Sequence, residues 1–236
     1  MKKSSVALLS VLILLVTSCE KINGEGPIVT ETREVSGFSG IDFRIGGDVY
    51  FKKDAVYKVE VSAQQNILDK LETYVSDGNL VIKPSNGVHI RSYRDVTVMV
   101  SGPDMNRLRV SGSGNITTTN AFATGSMDMD VSGSGKITVT GMTADYGDLK
   151  ISGSGDIRIQ SGSVTEEKLK ISGSGSIDLS NVAAAKATTT TSGSGDIRLQ
   201  VSQRLNATIS GSGSVYYKGN PIIDTKISGS GKVVHM

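Results

Sequence analysis

Arg158, Asp178 and Arg198 recur at a spacing of twenty residues, and Asp156 stands two positions before the first of them. On one outer wall of a β-structure, such a cluster could process polysaccharide. One carboxyl would protonate the leaving oxygen while a second serves as base or nucleophile. Two features oppose that reading. No pair of carboxylates at catalytic separation is evident, and platforms for sugar rings are nearly missing, since the chain has no Trp and four Phe. The alternating signs read more simply as a charge ladder that sets register, each exposed pair contributing about 0 to 1 kcal/mol.

Metal and nucleotide chemistry fare no better. "SGSGDIRI" superficially resembles a calcium-binding nonapeptide repeat, but Asp156 and Asp196 follow Gly directly and the period is about twice too long. The same position elsewhere holds Asn115, Lys136, Ser176, Ser214 and Lys232, and a column of lysine and serine builds no repeated Ca²⁺ site. No G-x-G-x-x-G opens a helix. His89 and His235 stand alone, far apart in the chain, and are expected at the surface rather than on a metal. No catalytic residue, metal or cofactor is assigned.

The remaining reactive group is Cys19, the only cysteine, which excludes an internal disulfide framework. Lys2 and Lys3 precede an apolar run from Val6 to Val16, the length of a signal-peptide core and too short to span a bilayer. The run ends in "VTSC", which resembles a bacterial lipobox and implies cleavage after Ser18 and lipidation of Cys19. Removing residues 1–18 takes away two lysines and no acid, so the formal charge falls from +2 to zero. Nothing in that balance favours nucleic acid.

What must position any such groups is a repeat. Ser-Gly-Ser-Gly begins at Ser111, Ser132, Ser152, Ser172, Ser192, Ser210 and Ser228, at intervals of 21, 20, 20, 20, 18 and 18 residues. The residue before each copy is Val110, Val131, Ile151, Ile171, Thr191, Ile209 or Ile227, and the residue two after it is Ile116, Ile137, Ile157, Ile177, Ile197, Val215 or Val233. Alternate residues of an extended chain face opposite ways, so both apolar columns and the glycines share the inner face. A flexible Gly/Ser linker would have neither fixed parity nor matched apolar flanks. The structural glycines are therefore Gly112 and Gly114, Gly133 and Gly135, Gly153 and Gly155, Gly173 and Gly175, Gly193 and Gly195, Gly211 and Gly213, and Gly229 and Gly231. Either an inward side chain would collide with the structure there, or the backbone bends as only Gly does cheaply.

Like-on-like columns favour a parallel solenoid over stacked hairpins, because equivalent residues then lie about 4.8 Å apart. The variable segments between copies, from "TTNAFATGSMD" to "GNPIIDT", read as loops on one side. Phe122, Tyr146 and Leu205 are their bulky residues, favoured as core. Upstream, "IDFRIGGDVYFKKDAVYKVEVSA" predicts three strands with turns at Gly46-Gly47 and near Asp54, "NLVIKP" and "VTVMVSGP" predict two more, and "NILDKLETYV", Asn66 to Val75, predicts a helix of one or two turns capped by Asn66.

Together the lipobox, "FSGIDFRIGGDVYF", "NILDKLETYVSDGNLVI", "VTVMVSGPDMNRLRVSGSGNI" and the SGSG ladder resemble the "putative auto-transporter adhesin, head GIN domain" family of Bacteroidetes envelope proteins. The resemblance covers nearly the whole mature chain and implies an all-β, right-handed parallel stack. For activity it implies an adhesive role inferred from the shape of the fold. A more distant likeness to toastrack-type β repeats implies an envelope-stress or assembly role.

The expected organisation is a signal peptide at 1–18, a lipidated Cys19 with a polar tether at 19–27, a β-rich region at 28–107 that continues and caps the stack, and the seven-repeat solenoid at 108–236. The expected function is a non-catalytic adhesin or structural binding module of the outer membrane, on the cell surface or its periplasmic face. A membrane-inserted lipid and a cell-surface glycan or protein are its expected partners. The last repeat, "TKISGSGKVVHM", should leave Ile227 and Val233 open at the pole far from Cys19, inviting a second copy or a partner's strand.

Overall fold

The computed structural model describes residues 20–91 and 96–236. Residues 1–18, expected to be a signal peptide, and Cys19, expected to carry lipid, lie outside the described residues.

Strands β1 (Glu20–Ile22) and β2 (Ile28–Thr32) come first. The alternating run then gives the three expected strands, β3 (Gly40–Phe43), β4 (Asp48–Lys53) and β5 (Lys58–Gln64). A single helical turn, α1 (Gln65–Leu68), leads into β6 (Leu71–Ser76). The helix expected from Asn66 to Val75 is thus cut to its first turn, because Thr73 and Val75 are β-branched and favour extended chain. A hairpin also captures the segment. Asp77 and Gly78, at φ 50° and 73°, form the left-handed pair that a two-residue hairpin turn requires, and β7 (Asn79–Pro84) returns antiparallel to β6. Asn66 is not the cap. That position is Gln64, without a side-chain capping bond.

After β8 (Val88–Ile90) and β9 (Thr97–Gly102) the repeats begin. They comprise β10 (Arg107–Gly112), β11 (Asn115–Thr118), β12 (Phe122–Gly133), β13 (Lys136–Val139), β14 (Met142–Gly153) and β15 (Asp156–Ile159). Next come β16 (Gly162–Gly173), β17 (Ser176–Gly193), β18 (Asp196–Gly211), β19 (Val215–Lys218), β20 (Ile222–Gly229) and β21 (Val233–His235).

Every pairing between successive repeats is parallel, so the chain is a β-solenoid. One ladder climbs β3, β10, β12, β14, β16, β17, β18 and β20. Its neighbour climbs β4, β11, β13, β15, β17, β18, β19 and β21. Register keeps the columns: Val131, Ile151, Ile171, Thr191, Ile209 and Ile227 are successive partners, and Ile137, Ile157, Ile177, Ile197 and Val215 form a second column. At about 4.8 Å per step, the ladder from β3 to β20 rises roughly 34 Å.

The variable segments are walls rather than loops. Most of their residues lie in β12, β14, β16, β17 and β18, with Val164, Val182, Ala184 and Leu205 buried. In a parallel stack the next coil satisfies each coil's backbone whatever the side chains, so varied sequence still forms strand provided its inward positions are small or apolar. Phe122 and Leu205 are core, while Tyr146 is exposed.

The N-terminal region continues the same sheet and closes one end. There β5 runs antiparallel to both β2 and β9, and the β6–β7 hairpin lies beside β3. All four phenylalanines are buried toward this end: Phe51 meets Phe122 edge-on at 6.3 Å between centroids, and Phe38 meets Tyr57 at 4.9 Å. The cap packs on aromatics, whereas the stack is built of aliphatic columns.

Candidate functional site

The SGSG corner comes first, because it aims both walls. Gly153 has φ +129°, a conformation that L side chains rarely adopt. Gly155 has no such φ and is buried, and a Cβ there would run into the carbonyl of Gly135 and the Val131 side chain. Both causes left open by the sequence therefore operate: Gly153 shows the backbone conformation and a collision with the Gly133 carbonyl, and Gly155 the collision alone. The absent side chains also let each corner rest on the one before it: Ser154 N–H donates to the Gly133 carbonyl at 2.8 Å, and Ser174 N–H donates to that of Gly153 at 2.8 Å.

On the outer wall after the corner, register brings Arg158 beside Asp178 and Asp178 beside Arg198. Arg158 Nε lies 3.8 Å from Asp178 Oδ2. Arg198 turns away from Asp178. It lies 3.7 Å from Asp196 and stacks its guanidinium 5.0 Å from the Tyr216 ring centroid. Asp156 sits 3.6 Å from Lys136 and accepts the Ser176 hydroxyl at 2.6 Å, while Asp178 accepts the Ser180 hydroxyl at 2.7 Å. A groove of about 350 Å³ runs among Lys136, Asp156, Arg158 and Asp178. Its carboxylates are engaged by neighbouring coils, as register ladders require.

The wall before the corner carries a second ion network. Asp148 lies 2.9 Å from Lys150 and 3.7 Å from Lys168, and Lys150 also reaches Asp128 at 3.9 Å. The hydrogen bond to Asp148 raises the Lys150 pKa most, helped by the charges of Asp148, Asp128 and Asp130 and opposed by desolvation. This network was legible only as outward parity, and the sequence reading passed it over.

Glu167 was missed as well, having been assigned to a loop. It is 1% exposed, in register between Gly147 and Ala187, and neither carboxylate oxygen has a hydrogen-bond partner. Burial pushes its pKa up to about 8, so near neutrality the carboxyl is held largely protonated. Parity would have found it, since Leu169 and Ile171 face inward two and four residues later.

The two poles differ. At the capped pole, β1 pairs with β8 from Glu20↔Val88 onward, and Asn66 holds the following residues by donating to the Asn23 carbonyl at 2.7 Å and accepting the Glu25 N–H at 3.0 Å. The stretch read as a tether is therefore docked on the cap, beginning one residue after Cys19. At the other pole β20 is exposed along its whole length. His89 lies in β8 and His235 in β21, where its ring packs edge-on to Tyr217 at 5.1 Å. Among the described residues no three His, Cys, Asp or Glu gather to hold a metal, and no helix is long and apolar enough to cross a membrane.

Solved structures share this architecture. A "putative adhesin" from Bacteroides fragilis superposes with a TM-score of 0.84 at 22% identity, covering 91% of this chain and 100% of its own. A "putative lipid binding protein" from Parabacteroides distasonis does so at 0.75 and 26%, covering 92% and 100%, and a "putative adhesin" from Parabacteroides merdae at 0.74 and 19%, covering 92% and 99%. Among curated proteins there is no match. The model of the family described as "Putative auto-transporter adhesin, head GIN domain" matches residues 37–221, and the chain belongs to that family.

Proposed function

We propose that the protein is a lipid-anchored, non-catalytic adhesive module, held to the outer membrane through Cys19 and displaying its solenoid at the cell surface. The observation that carries this reading is the β1–β8 pairing, which fixes the residue next to Cys19 on the capped pole. With no slack between lipid and fold, the cap lies against the membrane and the repeats lead away from it. The long polar walls then meet a cell-surface glycan or protein ligand. The engagement of Asp156 and Asp178 by Lys136 and Arg158 supports binding over acid–base chemistry, because a catalytic carboxylate must be free to take or give a proton.

Metabolic labelling with a fatty-acid analogue tests the anchor. The wild-type chain takes up label and needs detergent for extraction, whereas Cys19→Ser takes up none and accumulates as unprocessed precursor. A Cys19→Ser chain that is still cleaved and lipid-modified overturns the assignment.

A further inference from the structure

The open pole is self-complementary. In β20 the residues Ile223, Thr225 and Ile227 follow the buried columns of Leu205, Ala207 and Ile209, so they face the core side, while Asp224 and Lys226 face outward. Among the described residues no further coil covers them, and Ile222, Ile223 and Ile227 are 66, 38 and 44% exposed. One rank of β20 backbone donors and acceptors is likewise directed away from β18, and such an edge pairs readily with another strand.

We infer that the partner of this edge is the β20 of a second copy, paired antiparallel about a twofold axis through Thr225. Directly opposed residues of an antiparallel pair lie on the same face. This register sets Asp224 against Lys226 of the second copy and Lys226 against its Asp224, two ion pairs on the outer face. On the core face it sets Ile223 against Ile227 of the second copy, twice, with threonine against threonine at the centre. Sliding the axis by one residue destroys the match, since it opposes either two Lys226 or two Asp224 side chains. The axis is perpendicular to this wall, so the second solenoid continues the first with its core on the same side. The contact is closed and isologous, which yields a dimer rather than a fibre. Both capped poles then lie at the outer ends of the pair, so two copies anchored as proposed above stand in opposed membranes and meet by their free poles.

Sedimentation of the full-length chain in detergent micelles tests the proposal, using charge exchange at the edge. Wild type sediments as a dimer. Asp224→Lys alone places lysines opposite lysines at both outer positions and raises the dissociation constant roughly ten-fold or more. Asp224→Lys combined with Lys226→Asp recreates both pairs in reversed sense and restores the dimer to within about three-fold of wild type. A general loss of folding would not be rescued by the second exchange. As an independent reading, Thr225→Cys forms an intermolecular disulfide under mild oxidation, with the wild-type chain as control. A monomeric wild type, an Asp224→Lys chain that dimerises as well as wild type, or a double variant no better than the single one would each overturn the twofold pairing.

Discussion

The carbonyl oxygen of Gly153 accepts the N–H of Ser174 at 2.8 Å, one coil further on and one position later in the repeat. That bond recurs from Gly133 to Ser154, from Gly173 to Ser194 and from Gly193 to Ser212. The corner is thus a turn that can stack on itself, and two glycines per copy keep it thin enough to do so.

Alanine at three glycines should separate strain from collision. Gly112 has φ +121° but open space around its missing Cβ, the pairing of β10 with β3 ending at Val110. Gly112→Ala is expected to cost about 1 to 2 kcal/mol, from backbone strain alone. Gly153→Ala adds a collision with the Gly133 backbone and should cost about 2 to 4 kcal/mol. Gly155→Ala, with ordinary φ, should still cost about 1 to 3 kcal/mol through overpacking, whereas Ser154→Ala should cost less than about 1 kcal/mol. Denaturant unfolding of the four variants checks the order, and equal losses at Gly112 and Gly153 would contradict it.

Thr191 interrupts the column of Val131, Ile151, Ile171 and Ile209, fully buried and with no hydrogen bond to its hydroxyl. Thr191→Val keeps the shape and removes the orphan group. It should stabilise the chain by about 1 kcal/mol, visible as a higher denaturant midpoint with an unchanged slope.

Glu167 makes stability depend on pH. Below about 4.5 its carboxyl is protonated folded and unfolded alike. Between about 4.5 and 8 the unfolded chain releases the proton while the folded chain keeps it. Stability therefore falls as pH rises through that window, by at most about 1.4 kcal/mol per unit, and levels off above it. The column around it, Met127, Gly147, Ala187 and Leu205, holds no charge to oppose this. Glu167→Gln should remove that slope. Unfolding at pH 5 and pH 8 measures it, and a slope retained in the variant would assign the effect elsewhere.

Much of this was legible beforehand, and for one reason. A parallel stack repeats a residue's environment at each coil, so the parity that placed Ile151 and Ile157 inward also fixed the ladder and its charge columns. Parity carries back from Leu169 and Ile171 to Glu167 in "SGSVTEEK", but residue type gave no core signal there, since Gly147 and Ala187 serve inward positions as well as isoleucine does when Glu167 fills the space between them. The helix over Asn66 to Val75 failed for a different cause: spacing over ten residues suits both periods, and the Asp77–Gly78 turn decided for the hairpin. The pairing of Glu20–Ile22 with β8 and the holding of Asn23 and Glu25 by Asn66 left no signal in a polar sequence.

The central claim is that the cap faces the membrane and the repeats face the exterior. It is tested most directly by placing a cysteine on the exposed serine column, at Ser172, and treating intact cells with a membrane-impermeant maleimide. Surface display of the outer wall predicts labelling of Ser172→Cys on intact cells, at the level reached after the outer membrane is opened. Labelling only after the membrane is opened would put the solenoid in the periplasm and contradict the adhesive role.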